Sequence, residues 1–312
     1  MRALLIVNPR ATSTTTRTRE VIAHALASSI DLDVVTTTHR SHATDLARQA
    51  RRDGLDVVIT LGGDGTVNEV VNGLLADGIG HDVPVLGTVP GGSANVFSRS
   101  IGLPEDPIEA TGALIEAIED KRTRSVGLGV ADTGDRRRWF LCNAGVGLDA
   151  EIIEEMEKQR AEGHEATASR YVQTSLRHGL LRTDRREPAL TVSRPGVPDV
   201  DGVFLTIVQN SSPWTYIGPW PIDPCPRASF DTGLDLFAPR SLAIIHAIGH
   251  VRRMLLRRRT RYPFGGLLTL HDQSEMAVTA SRATPLQIDG DAAGPVTRVV
   301  FRSMPRSLDV LV

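Results

Sequence analysis

Twice in its first third the chain runs from an apolar stretch through a glycine turn into a helical pattern, and few folds accommodate that repetition. Leu55-Asp56-Val57-Val58-Ile59-Thr60-Leu61 leads into Gly62-Gly63-Asp64-Gly65-Thr66-Val67-Asn68, with a helical pattern continuing to Leu75. Val83-Pro84-Val85-Leu86-Gly87-Thr88-Val89 leads into Pro90-Gly91-Gly92-Ser93-Ala94-Asn95, ahead of the helical Val96-Phe97-Ser98-Arg99. Strands alternating with helices predict a parallel, helix-covered sheet. In such sheets ligands bind beyond the carboxyl ends of the strands, so both turns can line one pocket. Glycine lets a phosphate approach the main chain, and the N-terminus of the next helix supplies N–H donors and a positive dipole end. Asp64 would repel a phosphate there unless a divalent cation intervenes or the carboxylate handles a proton, which makes it the first candidate for chemistry. Ser93 and Asn95 have the alternative of simply capping a helix.

Around these turns the same alternation holds: Leu4 to Val7 and Leu32 to Thr36 read as strands, and Thr18 to Ser28, His42 to Arg52 and Asp106 to Asp120 as helices. Near Ser125 the pattern changes to short strands separated by turn residues. These are Val126 to Val130, Trp139 to Ala144, Leu190 to Ser193, Val203 to Val208, Leu234 to Phe237, Met276 to Ala280, Leu286 to Ile288, Val296 to Phe301 and Leu308 to Leu311. With 312 residues, of which 41% are hydrophobic, the chain can build one large or two ordinary domains. No stretch approaches the roughly 20 apolar residues of a membrane span. Met1-Arg2-Ala3-Leu4 begins a strand rather than a signal peptide, so a cytoplasmic protein is expected. Cys142 and Cys225 are the only cysteines and suit neither a disulfide framework nor a paired metal spacing. A net charge of −2 argues against broad nucleic-acid binding. The only lysines are Lys121 and Lys158, and neither follows a glycine loop, which excludes a phosphate loop of the Gly-Lys type. Arginine, backbone amides and magnesium must then serve any phosphate. Arg10 is the better phosphate candidate, whereas Arg17 and Arg19 are expected on a solvated helix face.

Asn8-Pro9 after the first strand, Gly62 to Glu69, Pro90 to Asn95 and the late Gln287-Ile288-Asp289-Gly290-Asp291 together resemble, in order and approximate spacing, the motifs of the diacylglycerol kinase and sphingosine kinase family. The resemblance implies an α/β N-terminal domain with a parallel sheet, of the NAD kinase and diacylglycerol kinase type, plus a β-sandwich-like second domain, with the active site in the cleft between them. It places the nucleotide-binding domain at 1–124, a β-rich lipid-substrate domain at 125–295 and a return of 296–312 to the first domain. It implies transfer of the γ-phosphoryl group of Mg-ATP to a lipid hydroxyl, most simply diacylglycerol to phosphatidic acid. Nucleotide contacts are implied at Asn8, Pro9, Arg10, Thr38, Gly62, Gly63, Asp64, Gly65, Thr66, Asn68, Glu69, Gly92, Ser93 and Asn95, with Asp64 approaching Mg²⁺ through water. Asn68 and Glu69 could equally stabilise a first helical turn. Family position assigns the proton acceptor to Asp291, where glutamate is commoner, with Asp289 in support. Residues two apart on an extended segment share a face, so both carboxylates can serve one site, although Asp-Gly-Asp is also an ordinary surface turn.

Departures from the family pattern keep other readings open. Val96 stands where bacterial diacylglycerol kinases commonly carry an aspartate, Thr12 where a glycine often follows Asn-Pro, and Thr232 where a structural magnesium loop around Asp231 usually has an aspartate. Sphingoid, ceramide or polyprenol acceptors, an NAD kinase-like enzyme and a non-catalytic nucleotide-binding regulator are the alternatives. The expected partner is a lipid substrate at the inner membrane face, without nucleic acid, and the chain could pair as a homodimer. Ser241 to Arg259 fits either an amphipathic helix resting on anionic lipid or a domain helix with arginines near its C-terminus. Glu151 to Leu181 reads as another helical stretch that could border the acceptor pocket, and Trp214, Tyr216 and Trp220 are either loop anchors or lipid contacts.

Overall fold

The computed structural model describes residues 1–147, 189–243, 246, 249, 250, 252, 254 and 266–312. The expected Glu151 to Leu181 helix and most of Ser241 to Arg259 lie outside them. The chain divides into two compact units, Met1–Gly127 with Arg306–Val312, and Leu128–Pro305.

The first unit is α/β. Its strands β1 (Arg2–Val7), β2 (Asp31–Thr36), β3 (Val57–Gly62) and β4 (Val85–Pro90) are parallel in the order β2-β1-β3-β4. β3 is buried along its whole length and β1 and β4 nearly so, which is why they read as continuous apolar runs, whereas the edge strand β2 is largely exposed. Helices α1 (Thr16–Ala27) and α5 (Pro107–Glu119) pack together, as do α2 (His42–Arg52) and α3 (Asp64–Leu74), and the short α4 (Val96–Ser100) follows β4. The caps are local: Thr15 accepts the amide of Thr18, and Asp106 those of Ile108 and Glu109 ahead of Pro107. Ala43, Ala47 and Ala50 present a small buried face on α2, so α3 can lie close against it.

The second unit is strand-rich and antiparallel. β14 (Leu267–Gln273), β13 (Leu234–Pro239), β10 (Leu205–Gln209), β7 (Asn143–Gly147) and β15 (Glu275–Ile288) are neighbours in that order, and β15 pairs next with β16 (Asp291–Leu311). β8 (Leu190–Arg194) pairs with β15 and with β9 (Val197–Val203), and within this unit the end of β5 (Thr123–Asp132) pairs with β6 (Arg137–Phe140). Phe140, Val208, Leu236, Met276 and Phe301 anchor the core. Two strands cross between the units, β5 at Gly127 and β16 at Pro305. The return to the first unit therefore comes at Arg306 rather than at 296, because β16 is one long strand; within the first unit Val310 pairs with Leu86 of β4, and the Asp309 carboxylate accepts the Ser125 hydroxyl. Met276 to Ala280 and Leu286 to Ile288 are likewise one strand. Ser281 to Pro285 reads as a turn, but β15 absorbs it by shifting register against β16 between Thr279 and Thr284. β14 escaped the sequence reading because His271 and Asp272 interrupt its apolar pattern.

Candidate functional site

The two glycine turns lie backbone against backbone. Asn8, which follows β1, donates its side-chain amide to the Thr66 hydroxyl at 2.8 Å and accepts the Arg10 amide at 2.9 Å, tying the end of β1 to α3. The Gly91 amide donates to the Gly62 carbonyl at 2.8 Å, and the Ser13 amide to the Gly91 carbonyl at 3.2 Å. A Cβ on Gly92 would sit 2.7 Å from the Gly63 Cα, so any larger residue would force the turns apart. Gly63 is the N-cap of α3 and contributes no side-chain cap, which points that helix's N-terminal dipole at the turn. Asn95, at φ 46°, folds its side chain back onto the amide and carbonyl of Gly92, both at 2.8 Å. Ser93 is exposed beside it. Asp64 is half-buried and accepts the amides of Val96 and Phe97, each at 3.0 Å, one on each oxygen. Desolvation nevertheless outweighs these bonds and the pull of Arg99, and holds its carboxyl above the usual 3.8.

The rim is built from the loops after β1 and β2 and the starts of α2 and α3. The Thr38 hydroxyl meets the Nδ1 atoms of His39 and His42 at 2.9 and 3.2 Å, and those two rings stack 4.7 Å apart. Glu69 accepts the amide of Ser41 at 3.0 Å, so it supports the start of α2 rather than its own helix. Asn68 is fully buried and accepts from Asn72. Arg10 and Pro9 are exposed. Arg17 is exposed too, but Arg19 departs from the solvated face expected of it. Its guanidinium donates to the carbonyls of Pro9, Ala11 and Thr14, because the first turn of α1 folds back over that loop. A charge read from sequence as solvated is here the brace of the loop, and nothing in the local pattern announces it.

The second unit holds the late carboxylates, and they differ from expectation. Ile288 pairs with Asp291 across a two-residue turn in which Asp289 and Gly290 have φ 47° and 82°, the left-handed pair of a tight hairpin. Asp289 and Asp291 therefore do not lie on one extended segment. Asp289 accepts the amides of Leu141, Cys142 and Asn143 at 2.7, 2.9 and 3.0 Å, which leaves it a structural anchor rather than a proton acceptor. Asp291 is 23% exposed and accepts from Arg138 of β6 at 3.1 Å. Gln287 completes the turn, donating to Asn143 at 2.9 Å and accepting the Gly290 amide at 3.0 Å. Arg138 was not legible as a site residue, since its partner is 153 positions away.

Residues 2–131 match the model of the diacylglycerol kinase catalytic domain. Over that segment the chain is similar to the catalytic domain of diacylglycerol kinases. Relatives include a diacylglycerol kinase of Bacillus subtilis strain 168, 36% identical over 38% of this chain and 39% of that protein. The lipid kinase YegS of Escherichia coli K12 is 38% identical over 33% of this chain and 34% of its own length. The matches thus span little more than a third of these curated relatives. A diacylglycerol kinase structure from Bacillus anthracis shares the fold with a TM-score of 0.72 at 20% identity, covering 99% of this chain and 96% of the other. An NAD kinase structure from Archaeoglobus fulgidus in complex with ATP gives 0.53 at 13% identity, covering 100% and 94%.

The structural ion suggested at Asp231 lacks one of its usual carboxylates, since Thr232 stands in its place. The Thr232 hydroxyl lies within donating distance of the carbonyls of Ser229 and Gly233, at 3.1 and 3.3 Å, so a neutral proton donor stands where a carboxylate ligand is usual, and Asp272 accepts the Gly233 amide at 2.7 Å. Among the described residues there is no cluster of three or more His, Cys, Asp or Glu placed to hold a metal, and no helix long and apolar enough to cross a membrane.

Proposed function

We propose that this chain is an ATP-dependent lipid kinase that transfers the γ-phosphoryl group of Mg-ATP to a lipid hydroxyl, with diacylglycerol the first acceptor to expect. The observation that carries this is the close packing of the two glycine turns at the ends of β3 and β4, where the start of α3 stays free of a side-chain cap. Such a cradle binds phosphates through backbone N–H groups and the helix dipole. Gly63, Gly65 and Thr66 lie on its first side and Gly92, Ser93 and Asn95 on the second, with the exposed Arg10 as the nearby cation in sequence. Mg²⁺ enters with ATP as part of the substrate and supplies the charge that the single carboxylate of the turns cannot.

In the transfer, the acceptor oxygen attacks the γ-phosphorus as the bond to the bridging oxygen of ADP breaks. Asp291 takes the hydroxyl proton and later returns it to water. Arg138 holds that carboxylate in one orientation. Asp289 shapes the turn from which Asp291 projects. An acceptor dissolved in a bilayer also calls for a membrane-facing surface. The hairpin of β11 (Thr215–Ile217) and β12 (Trp220–Ile222) suits it, since no residue from Ser211 to Ile222 is charged and Trp220 is 71% exposed.

The test is Mg²⁺-dependent transfer of labelled γ-phosphate into diacylglycerol, sphingoid, ceramide and polyprenol lipids in mixed micelles, with NAD as a soluble control. A labelled lipid names the acceptor. Labelled NAD would overturn the lipid assignment, and ATP binding without any labelled product would make the chain a nucleotide-binding regulator.

A further inference from the structure

We infer that Asp64 is a positioning residue, whose carboxylate locks the second glycine turn onto the first through the amides of Val96 and Phe97, and that it is not a ligand of the magnesium accompanying ATP. This rests on the kinase reading only in so far as ATP is the nucleotide bound.

The geometry is specific. Helix α4 begins after Asn95, whose side chain is turned back onto Gly92 and caps nothing in α4. The first amides of α4 must therefore be satisfied from elsewhere, since buried N–H groups without partners are costly. Val96 and Phe97 are buried, and Asp64 supplies both acceptors at 3.0 Å from the first position of another helix, 32 and 33 residues away in sequence. The same contact brings Gly92 within van der Waals reach of Gly63. The Asp64 side chain thus adds to the Gly91–Gly62 backbone bond in holding together the two walls that must close on phosphate.

Two further facts support this role. Burial raises the Asp64 carboxyl, and the amides of Phe97 and Val96 are the main groups pulling it back down, so these two bonds are what favour the charged form there. Moreover, a carboxylate with one amide on each oxygen offers a cation only its remaining lone pairs, in a place where Val96 provides no second carboxylate.

The experiment reads amide hydrogen exchange at Val96 and Phe97, together with ATP affinity measured with and without Mg²⁺, in wild type and in Asp64→Asn. Asparagine keeps the shape but has one acceptor oxygen. Exchange at one or both amides should rise about 10- to 100-fold in the nucleotide-free variant, the loss of one charged hydrogen bond. ATP affinity should fall by the same factor with or without Mg²⁺, and the half-saturating Mg²⁺ concentration should stay unchanged. Unaltered exchange, or a Mg²⁺ requirement raised tenfold with Mg-free ATP binding intact, would make Asp64 a metal-linked group and overturn the inference. Should the variant fail to fold, wild type alone decides. Protection of both amides that persists on adding Mg-ATP agrees with a lock, and protection lost on adding it shows the carboxylate leaving for the metal. Because exchange and Mg-free binding need no turnover, absence of kinase activity would count against the proposed function and not against this role.

Discussion

At the scale of single residues, two aspartates separated by one glycine have unlike tasks. Asp289 closes a tight hairpin and gathers three backbone amides, whereas Asp291 stands partly exposed against Arg138. Asp289→Asn should cost about 2–4 kcal/mol of stability by chemical denaturation, since a charged acceptor shared among amides is lost. Asp291→Asn should leave the melting temperature nearly unchanged and lower kcat by about 10²–10⁴-fold in the micelle assay. Equal stability losses in both variants would contradict that division. The motif itself was legible in sequence, but the division of labour was not, because it depends on a two-residue turn and on residues 141–143, far away in the chain. Asp235 offers a test of burial set against local hydrogen bonds. It is 2% exposed, and desolvation raises its carboxyl from the ordinary 3.8 although the Asp272 amide and His271 bond to it. A carboxyl raised in the folded state stabilises fully below its unfolded value, and that contribution is lost as pH rises through the raised one. Melting curves should therefore show the stability of wild type relative to Asp235→Asn falling as pH climbs from 3.8. A difference that grows with pH would mean the buried charge is favourable.

At the scale of elements, the glycine turns and the aromatic hairpin carry the predictions. Gly92→Ala drives a Cβ into the Gly63 backbone and should cost about 1–3 kcal/mol and most ATP affinity by calorimetry. Gly112→Ala, inside α5 where a Cβ meets nothing within 4 Å, should instead stabilise by about 0.4–1 kcal/mol. Reversal of these two signs would mean that the turns are not in contact. The strand-turn-helix units were readable because buried parallel strands are uniformly apolar and glycine punctuates them. The long strands β15 and β16 were not, because bulges and prolines imitate chain breaks. The aromatic segment was ambiguous in sequence, and the fold separates its members. Trp214 packs against Leu205, Ile207 and Phe237, whereas Trp220 points out of the hairpin. Trp220→Ala should therefore weaken sedimentation with lipid vesicles at an unchanged melting temperature, and Trp214→Ala should do the reverse. Vesicle binding indifferent to Trp220 would remove this hairpin from the membrane contact.

At the scale of the whole molecule, an α/β unit bearing the paired glycine turns is joined by β5 and β16 to a strand-rich unit bearing Asp291. Alternation of strand and helix announced the first unit and short strands the second, since each follows from local periodicity. The identity of the acceptor is not local. It depends on side chains gathered from many strands, which is why the family motifs name phosphoryl transfer more firmly than they name a lipid. The most direct measurement is the rate at which label from γ-labelled ATP appears in phosphatidic acid, with Mg²⁺ and diacylglycerol in mixed micelles, for wild type and Asp291→Asn. Labelled phosphatidic acid from wild type, reduced at least about 100-fold in the variant, is the expected result. Equal labelling by both proteins would contradict the assignment of Asp291, and no labelled lipid with ATP bound would contradict the kinase itself.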